Sequence, residues 1–187
     1  MFDFNNHAHI FHPDRFSDVQ LERNLHVRQY CEAKDLFEKA LVRGKFYRFW
    51  AAVFQRPQWL LDLETVKSEM HAVNAHYSGM KYVPINHIIG TEQGSSSFDL
   101  AFHPVSERSR ERWLSVATAS LALLPLPSVE LIQIGNAYFV RDGHHRISVA
   151  RAFKQEFIEA EVTSWGFSWK HAPEAVINLL AYQMNGS

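Results

Sequence analysis

The chain has 187 residues, of which 47% are hydrophobic and 21% charged, and its formal net charge is −1. This composition predicts a folded chain with a full core and excludes a largely disordered one. The near-neutral charge argues against a surface that is basic over its whole extent. No apolar run approaches the roughly 20 residues of a membrane span, no signal peptide is recognisable, and Cys31 is the one cysteine. We therefore expect a cytoplasmic protein without a membrane span.

The first part of the chain, residues 1–80, carries helical patterns and predicts an all-helical extension. Apolar residues recur every three to five positions over residues 16–42, which predicts a helix that ends near Gly44. A short aromatic helix that closes before Pro57 is predicted next, because the residue before a proline disfavours helical geometry. An amphipathic pattern over residues 59–76 predicts a third helix.

Residues 81–165 have a different character, since β-branched residues and turn signals alternate with helical patterns. The predicted elements are a strand at 82–90, a polar loop at 91–105, a helix at 106–124, a hairpin at 128–141, a helix at 144–153 and a strand at 157–165. This order predicts an α+β domain, a small mixed sheet with packed helices. A small tail helix at 171–183 is predicted within the C-terminal segment 166–187.

The segment Asp-Gly-His-His-Arg, residues 142–146, joins the predicted hairpin to the next predicted helix. Gly143 permits a tight turn there, and the first N–H groups of a helix point outward without internal partners. Together with the helix dipole they favour a bound anion, for which His144, His145 and Arg146 add donors. The alternative is that Asp142 is an ordinary N-cap and the basic side chains face water.

A metal held by the protein is not expected at this turn. His144 and His145 are adjacent, so on a helix their side chains diverge by about 100° and do not converge on one ion. Asp142 could hold a magnesium ion that arrives with a nucleotide. Three further histidines lie close together near the start, and an H-x-H pair on a strand is a weak alternative metal motif. These are His7, His9 and His12.

The stretch YFVRDGHHRISVARAFKQEFIEAEVT, residues 138–163, resembles the core of the ParB/sulfiredoxin superfamily, in which a strand, a G-x-x-R turn and a helix hold nucleotide phosphates. YVPINHIIG and LPSVELIQI resemble the preceding family strands, so the resemblance covers residues 81–163. It implies that Gly143 and Arg146 bind phosphate, and His145 matches the histidine of the sulfiredoxin turn. The N-terminal part resembles a helical extension found on bacterial members with a DGHHR motif.

The resemblance is uneven in what it implies about activity. His144 occupies the position of the sulfiredoxin cysteine, so sulfinic-acid reduction is not expected. Residues 164–187 follow the core and are too few for the helix-turn-helix domain of partition proteins. Another branch of the superfamily phosphorylates free serine, with an acid after the first strand, where Glu92 stands here. Glu92, or Asp99 in the same loop, could accept a proton during phosphoryl transfer.

Three functions remain open on this basis. The first is a regulatory protein that binds a nucleotide such as ATP, ADP or CTP, with magnesium, or another phosphorylated ligand. The second is a small-molecule phosphotransferase of the serine-kinase kind or a nucleotide hydrolase. The third is a DNA-associated protein or nuclease that uses the basic and aromatic residues 43–56. Phosphate contacts and base stacking would both be available there.

That basic-aromatic segment has other interpretations. Its aromatic side chains could face the core while the basic ones face water, they could lie on a membrane surface, or they could form a homodimer interface. The basic residues are Arg43, Lys45, Arg48 and Arg56, and the aromatic residues are Phe46, Tyr47, Phe49, Trp50 and Phe54.

Overall fold

The computed structural model describes residues 13–55, 59–69, 72–94 and 97–167, and this part of the chain has an α+β architecture. Its helices are α1 (Pro13–Val53), α2 (Leu63–Glu69), α3 (Arg110–Leu121) and α4 (His144–Ala152). Its strands are β1 (Leu61–Asp62), β2 (Ala72–Pro84), β3 (Ile88–Thr91), β4 (Val129–Ile134), β5 (Ala137–Asp142) and β6 (Phe157–Phe167). Within the described ranges, no helix is long and apolar enough to cross a bilayer.

The strands form one mixed sheet in the order β1-β3-β5-β4-β6-β2. Strands β1, β3 and β5 run parallel, β4 is antiparallel to β5 and parallel to β6, and β2 is antiparallel to β6. The predicted hairpin is confirmed as β4 and β5, and Gly135 in its turn has a φ of 58°, which glycine adopts at little cost. Helix α4 follows directly from β5, an inner strand of the sheet.

The core consists of two clusters, one on each face of the sheet. Side chains of β5 alternate between them, with Tyr138 and Val140 in one and Ala137 and Phe139 in the other, as the two-residue period of a strand requires. Helices α1, α3 and α4 contribute to the first cluster and α2 contributes to the second. The long helices therefore cover one face, and α2 covers part of the other.

Direct contacts connect α1, α3 and α4 to one another. The Phe37 ring of α1 packs edge-on against Trp113 of α3, with centroids 5.4 Å apart. Trp113 Nε1 donates a hydrogen bond of 2.9 Å to Ser148 Oγ of α4, so the one polar atom of the indole has a partner in the core. Arg110 of α3 forms a 2.7 Å ion pair with Glu38 of α1.

The prediction that the first helix ends near Gly44 was wrong, because α1 continues to Val53 and includes the predicted short aromatic helix. Gly44 is buried, and a Cβ on it would lie 2.6 Å from the carbonyl oxygen of Pro104. A glycine inside a helix costs only about 1 kcal/mol relative to alanine, so a tertiary contact that needs the missing side chain can outweigh it. Gly44 permits a close approach of helix and loop.

The helix predicted over residues 59–76 was also wrong in part. Residues Leu63–Glu69 are helical, but strand β2 already begins at Ala72 and pairs with β6. Residues 72–76, predicted to be helical, are therefore strand. The predicted strand at 82–90 is interrupted by a 3₁₀ turn at Ile85–His87.

The later elements were correctly predicted as helix or strand. The helices predicted at 106–124 and 144–153 are α3 and α4, and the predicted last strand is β6. The predicted tail helix at 171–183 and the histidines His7, His9 and His12 lie outside the described residues.

Replacing Gly44 with alanine tests the close approach. In an exposed helix this change would stabilise the fold by about 1 kcal/mol. Here the new Cβ would overlap the Pro104 oxygen, so we expect Gly44→Ala to lower the free energy of unfolding by about 1–3 kcal/mol. Urea denaturation measures the change. Lys45→Ala, at an exposed neighbouring position, should stay within about 0.5 kcal/mol. A stabilised Gly44→Ala protein would show that the contact is not tight.

Candidate functional site

The turn between β5 and α4 depends on Gly143, which is the N-cap of α4. Its φ of 107° is in the left-handed region, and a Cβ on it would lie 2.5 Å from Val129 Cγ1. Glycine alone satisfies both the angle and the contact. The N–H of Ile147 bonds to the Gly143 oxygen at 3.0 Å, so the N–H groups of residues 144–146 precede the first bond of the helix. These are the groups that can receive an anion.

Arg146 is bound to other parts of the chain. Its Nη1 donates to the carbonyl oxygens of Pro127 at 2.7 Å and Ser128 at 2.6 Å, and its Nη2 donates to the Asp142 carboxylate. Its side chain is only 14% exposed. Arg146 therefore fixes the turn to the segment that precedes β4, and both terminal nitrogens of the group expected to hold phosphate have internal partners.

Asp142 pairs with Arg146 and does not cap the helix. Gly143 occupies the N-cap position, and no side chain caps α4 there. The Asp142 carboxylate is therefore neutralised beside the helix start. Among the described residues, no group of three or more His, Cys, Asp and Glu side chains is placed to hold a metal ion.

His144 contacts the end of strand β3. Its Nε2 lies 2.8 Å from Thr91 Oγ1, which also lies 2.7 Å from the Gln93 carbonyl oxygen. A carbonyl only accepts, so the threonine hydroxyl donates its one proton to Gln93 and accepts from the His144 Nε2–H. The His144 ring stacks on Phe98, with planes 12° apart. Burial lowers the pKa of His144, which keeps the imidazole neutral.

His145 is the second residue of α4 and is half-buried. Its ring meets Phe98 edge-on at 5.0 Å between centroids, and its buried Nε2 has no hydrogen-bond partner among the described residues. Burial, followed by the positive charge of Arg112 and the neighbouring His144, lowers the pKa of His145 from 6.5 to about 4. His145 is therefore a neutral imidazole in a positive environment.

A cavity of about 170 Å³ opens beside this turn. It is lined by residues 142–146, by Ser97 and Phe98 of the preceding loop, and by Arg112 and Val116 of α3. Arg112 is exposed and has no hydrogen bond or ion pair within the described part of the chain. This volume lies below the roughly 300–1,000 Å³ of a complete small-molecule pocket, and it matches one phosphate group better than a whole nucleotide. Sequence reasoning missed Arg112, because no motif marks it within the predicted helix.

The two acids considered as proton acceptors do not line this cavity. Glu92 binds Arg141 through both oxygens, with its Oε2 2.9 Å from Nε and its Oε1 3.3 Å from Nη2. Asp99 is fully buried and accepts the backbone N–H groups of Ala101 at 2.9 Å and His103 at 2.8 Å. Glu92 and Asp99 thus have structural partners, and the loop reaches the turn through Ser97 and Phe98.

The basic-aromatic segment of α1 does not bury its aromatic rings. Phe46, Phe49 and Phe54 are 62%, 63% and 61% exposed, so the interpretation that these rings face the core was wrong. They contact Trp50 in edge-on and stacked pairs. Arg56, the last basic residue of the segment, lies outside the described residues. An exposed apolar cluster of this kind is typical of a contact surface.

Comparison of the chain with protein-family models, with curated proteins and with solved structures gave no match.

The lowered histidine pKa predicts an acid-sensitive fold. As the pH falls from 6.5 towards 4, the unfolded chain takes up a proton at residue 145 before the folded chain does. The contribution of this histidine to the free energy of unfolding is therefore highest above pH 6.5 and declines as the pH falls from 6.5 towards 4. We expect His145→Gln to flatten the decline, measured as thermal unfolding temperature against pH. His76→Gln, which changes an exposed histidine of β2, is the control and should leave the profile unchanged. Parallel profiles for the His145→Gln variant and the unmodified protein would contradict the assignment.

Proposed function

We propose that this protein binds a nucleotide such as ATP, ADP or CTP through a phosphate group at the start of α4, as a regulatory ParB/sulfiredoxin-like protein. One observation carries the proposal. The cavity there combines the first N–H groups of α4 with Arg112, which has no hydrogen bond or ion pair among the described residues, while its one lining carboxylate, Asp142, is paired with Arg146. Such a cavity offers donors and an arginine charge to an anion, and its own carboxylate is already held by Arg146.

The electrostatics favour an anionic ligand. Burial lowers the pKa of both histidines at the turn, and the charge of Arg112 adds to the lowering while that of Asp142 opposes it. A bound phosphate would offset the charge of Arg112 and would accept a hydrogen bond from His145 in its protonated form. The Arg112 guanidinium can bind phosphate oxygens in pairs, which makes it a strong phosphate ligand.

The resemblance to the superfamily supports the location, with a change of roles. The strand, the glycine turn and the helix are in the expected order, and Gly143 has the positive φ that a tight turn needs. In the family pattern the arginine of the turn contacts phosphate. Here we assign that contact to Arg112 of α3, while Arg146 stabilises the turn through its internal hydrogen bonds. Magnesium would arrive with the nucleotide.

Regulatory binding is favoured over phosphoryl transfer or nucleotide hydrolysis. A general base needs a carboxylate within hydrogen-bond reach of the reacting hydroxyl or water, or one water away. Glu92 is paired with Arg141, and Asp99 is buried against backbone N–H groups. Neither acid lines the phosphate cavity.

Removing the Arg112 charge tests this proposal. We expect Arg112→Gln to weaken nucleotide binding at least about tenfold, since hydrogen bonds to charged groups contribute about 1.5–3 kcal/mol. Isothermal titration calorimetry with ATP, ADP and CTP, with and without magnesium, measures the affinities. Arg28→Gln is the matched control, because Arg28 is also an exposed helical arginine but lies on α1 and does not line this cavity. If none of the three nucleotides binds the unmodified protein, or if Arg112→Gln binds as tightly, the proposed function is wrong.

A second candidate is nucleic-acid binding through residues 43–56, favoured by the exposure of the aromatic rings in this segment. Phe46 and Phe49 offer surfaces for base stacking, and Arg43 and Lys45 are exposed beside them for phosphate contacts. A homodimer interface would use the same rings.

Substitution of one exposed ring separates these two uses. If the segment binds single strands, Phe49→Ala should weaken binding of labelled oligo(dT) about tenfold, and affinity should fall steeply with salt. Fluorescence polarisation measures the affinity, and light scattering measures the mass. Leu21→Ala, at an exposed position on the same helix, is the control. A halved mass without any effect on oligonucleotide binding would assign the surface to a dimer.

A further inference from the structure

A second and larger cavity, of about 640 Å³, lies at the opposite end of α4. Its walls come from α1, from the β2–β3 connection at residues 84–87, from the turn at residues 101–103, and from the end of α4 with the following residues 154–157. This volume is within the range of small-molecule pockets. It shares no lining residue with the phosphate cavity at the start of the helix.

The charged side chains of this cavity are mostly positive. Arg43, Arg151 and Lys154 line it, and Glu156 is the one acid among the lining residues. The buried Asp99 lies behind the wall and offsets part of the positive charge on Arg151. When Asp99 is counted with the lining residues, three cations face two acids, so the cavity keeps a net positive charge. An anion is therefore the complementary ligand.

Arg151 is held in position but is incompletely satisfied. Its Nη2 donates to the carbonyl oxygens of Ile85 at 2.8 Å and Ile88 at 3.3 Å, and its guanidinium lies over the Phe102 ring at 5.0 Å. Its Nε is buried and has no hydrogen-bond partner among the described residues. Burial also lowers the pKa of Arg151 to about 10. The site thus contains a fixed cation whose desolvation a bound anion would offset.

His103 adds an oriented proton-carrying group. Its Nδ1 lies 3.0 Å from Asp99 Oδ2, and a buried carboxylate only accepts, so Nδ1 carries the proton. The Nε2 atom on the other edge of the ring then has no proton and can accept a hydrogen bond from a ligand. His103 lines the cavity, as does His87.

We propose that this cavity binds the phosphate monoester of a small polar molecule. Arg43, Arg151 and Lys154 hold the phosphate oxygens, and His103 shares a proton with one of them. A phosphate monoester offers three terminal oxygens to these side chains, whereas a carboxylate offers only two. The remaining volume receives the polar body of the ligand beside Asn86 and Gln155. The inference is independent of the function proposed for the start of α4.

A titration of the full chain with glucose 6-phosphate tests the inference, with glucose as the neutral match. The side-chain nitrogens of ¹⁵N-labelled histidines are observed by NMR. We expect saturable shifts at His103 and His87 with the phosphate ester and none with glucose. Arg43→Gln should weaken the affinity about tenfold, as the loss of one charged hydrogen bond implies. Lys154→Asn should weaken it similarly, because asparagine tolerates the left-handed φ of 57° at this position.

Arg112→Gln is the matched control and should leave this affinity unchanged, since Arg112 lines the other cavity. Shifts confined to His144 and His145, lost in Arg112→Gln but kept in Arg43→Gln, would overturn the inference while supporting the first site. Failure of glucose 6-phosphate to shift His103 in the unmodified protein would also overturn it. Nucleotide binding could still depend on Arg112 in that case, so the two proposals fail separately.

Discussion

The position of α4 depends on the guanidinium of Arg146. Its bonds to Pro127, Ser128 and Asp142 connect the turn after β5 with the segment before β4, at the side of the sheet where α4 begins. Hydrogen bonds to a charged donor contribute about 1.5–3 kcal/mol each. If Arg146 moved to hold a phosphate, it would leave two carbonyl oxygens and a carboxylate without this partner. Among the described residues that line this cavity, Arg112 is the cation without a hydrogen bond or ion pair, so the proposed binding and the fold depend on different arginines.

Much of the fold around this turn follows from local sequence, whereas the rest depends on contacts between distant residues. The hairpin, the glycine turn and α4 are encoded by alternation, by Gly143 and by helical spacing within residues 128–153. Strand β2 could not be predicted this way, because it pairs with β6, which lies far along the chain. Residue 72, for example, pairs with residue 167. The prediction that the first helix ends near Gly44 was wrong for a related reason, because the contact with Pro104 that requires a glycine is set by tertiary packing.

The candidate site also has one part that the sequence predicts and another that only the fold brings together. Residues 142–146 form a motif that sequence reasoning can find, and all five line the cavity at the start of α4. Arg112 comes from another helix and belongs to no pattern, so only the fold brings it there. A carboxylate near a phosphate motif resembles a base in sequence, and the sequence does not show the partners of Glu92 and Asp99. In the structure Glu92 pairs with Arg141, and Asp99 organises a turn.

The loop that carries Asp99 contacts the start of α4 through Phe98 and contributes Phe102 and His103 to the cavity at the other end of α4. The partner of each imidazole in this region determines where its proton lies. His144 gives its Nε2–H to Thr91, His103 gives its Nδ1–H to Asp99, and the Nε2 of His145 has no partner in the described chain. The first two rings therefore have one nitrogen committed to the protein. Nε2 of His145 and Nε2 of His103 have no hydrogen-bond partner among the described residues. They belong to different cavities, and an arginine lines each cavity. On a neutral imidazole one ring nitrogen donates and the other accepts, so in each cavity the nitrogen that no described residue binds is the one that a ligand would meet.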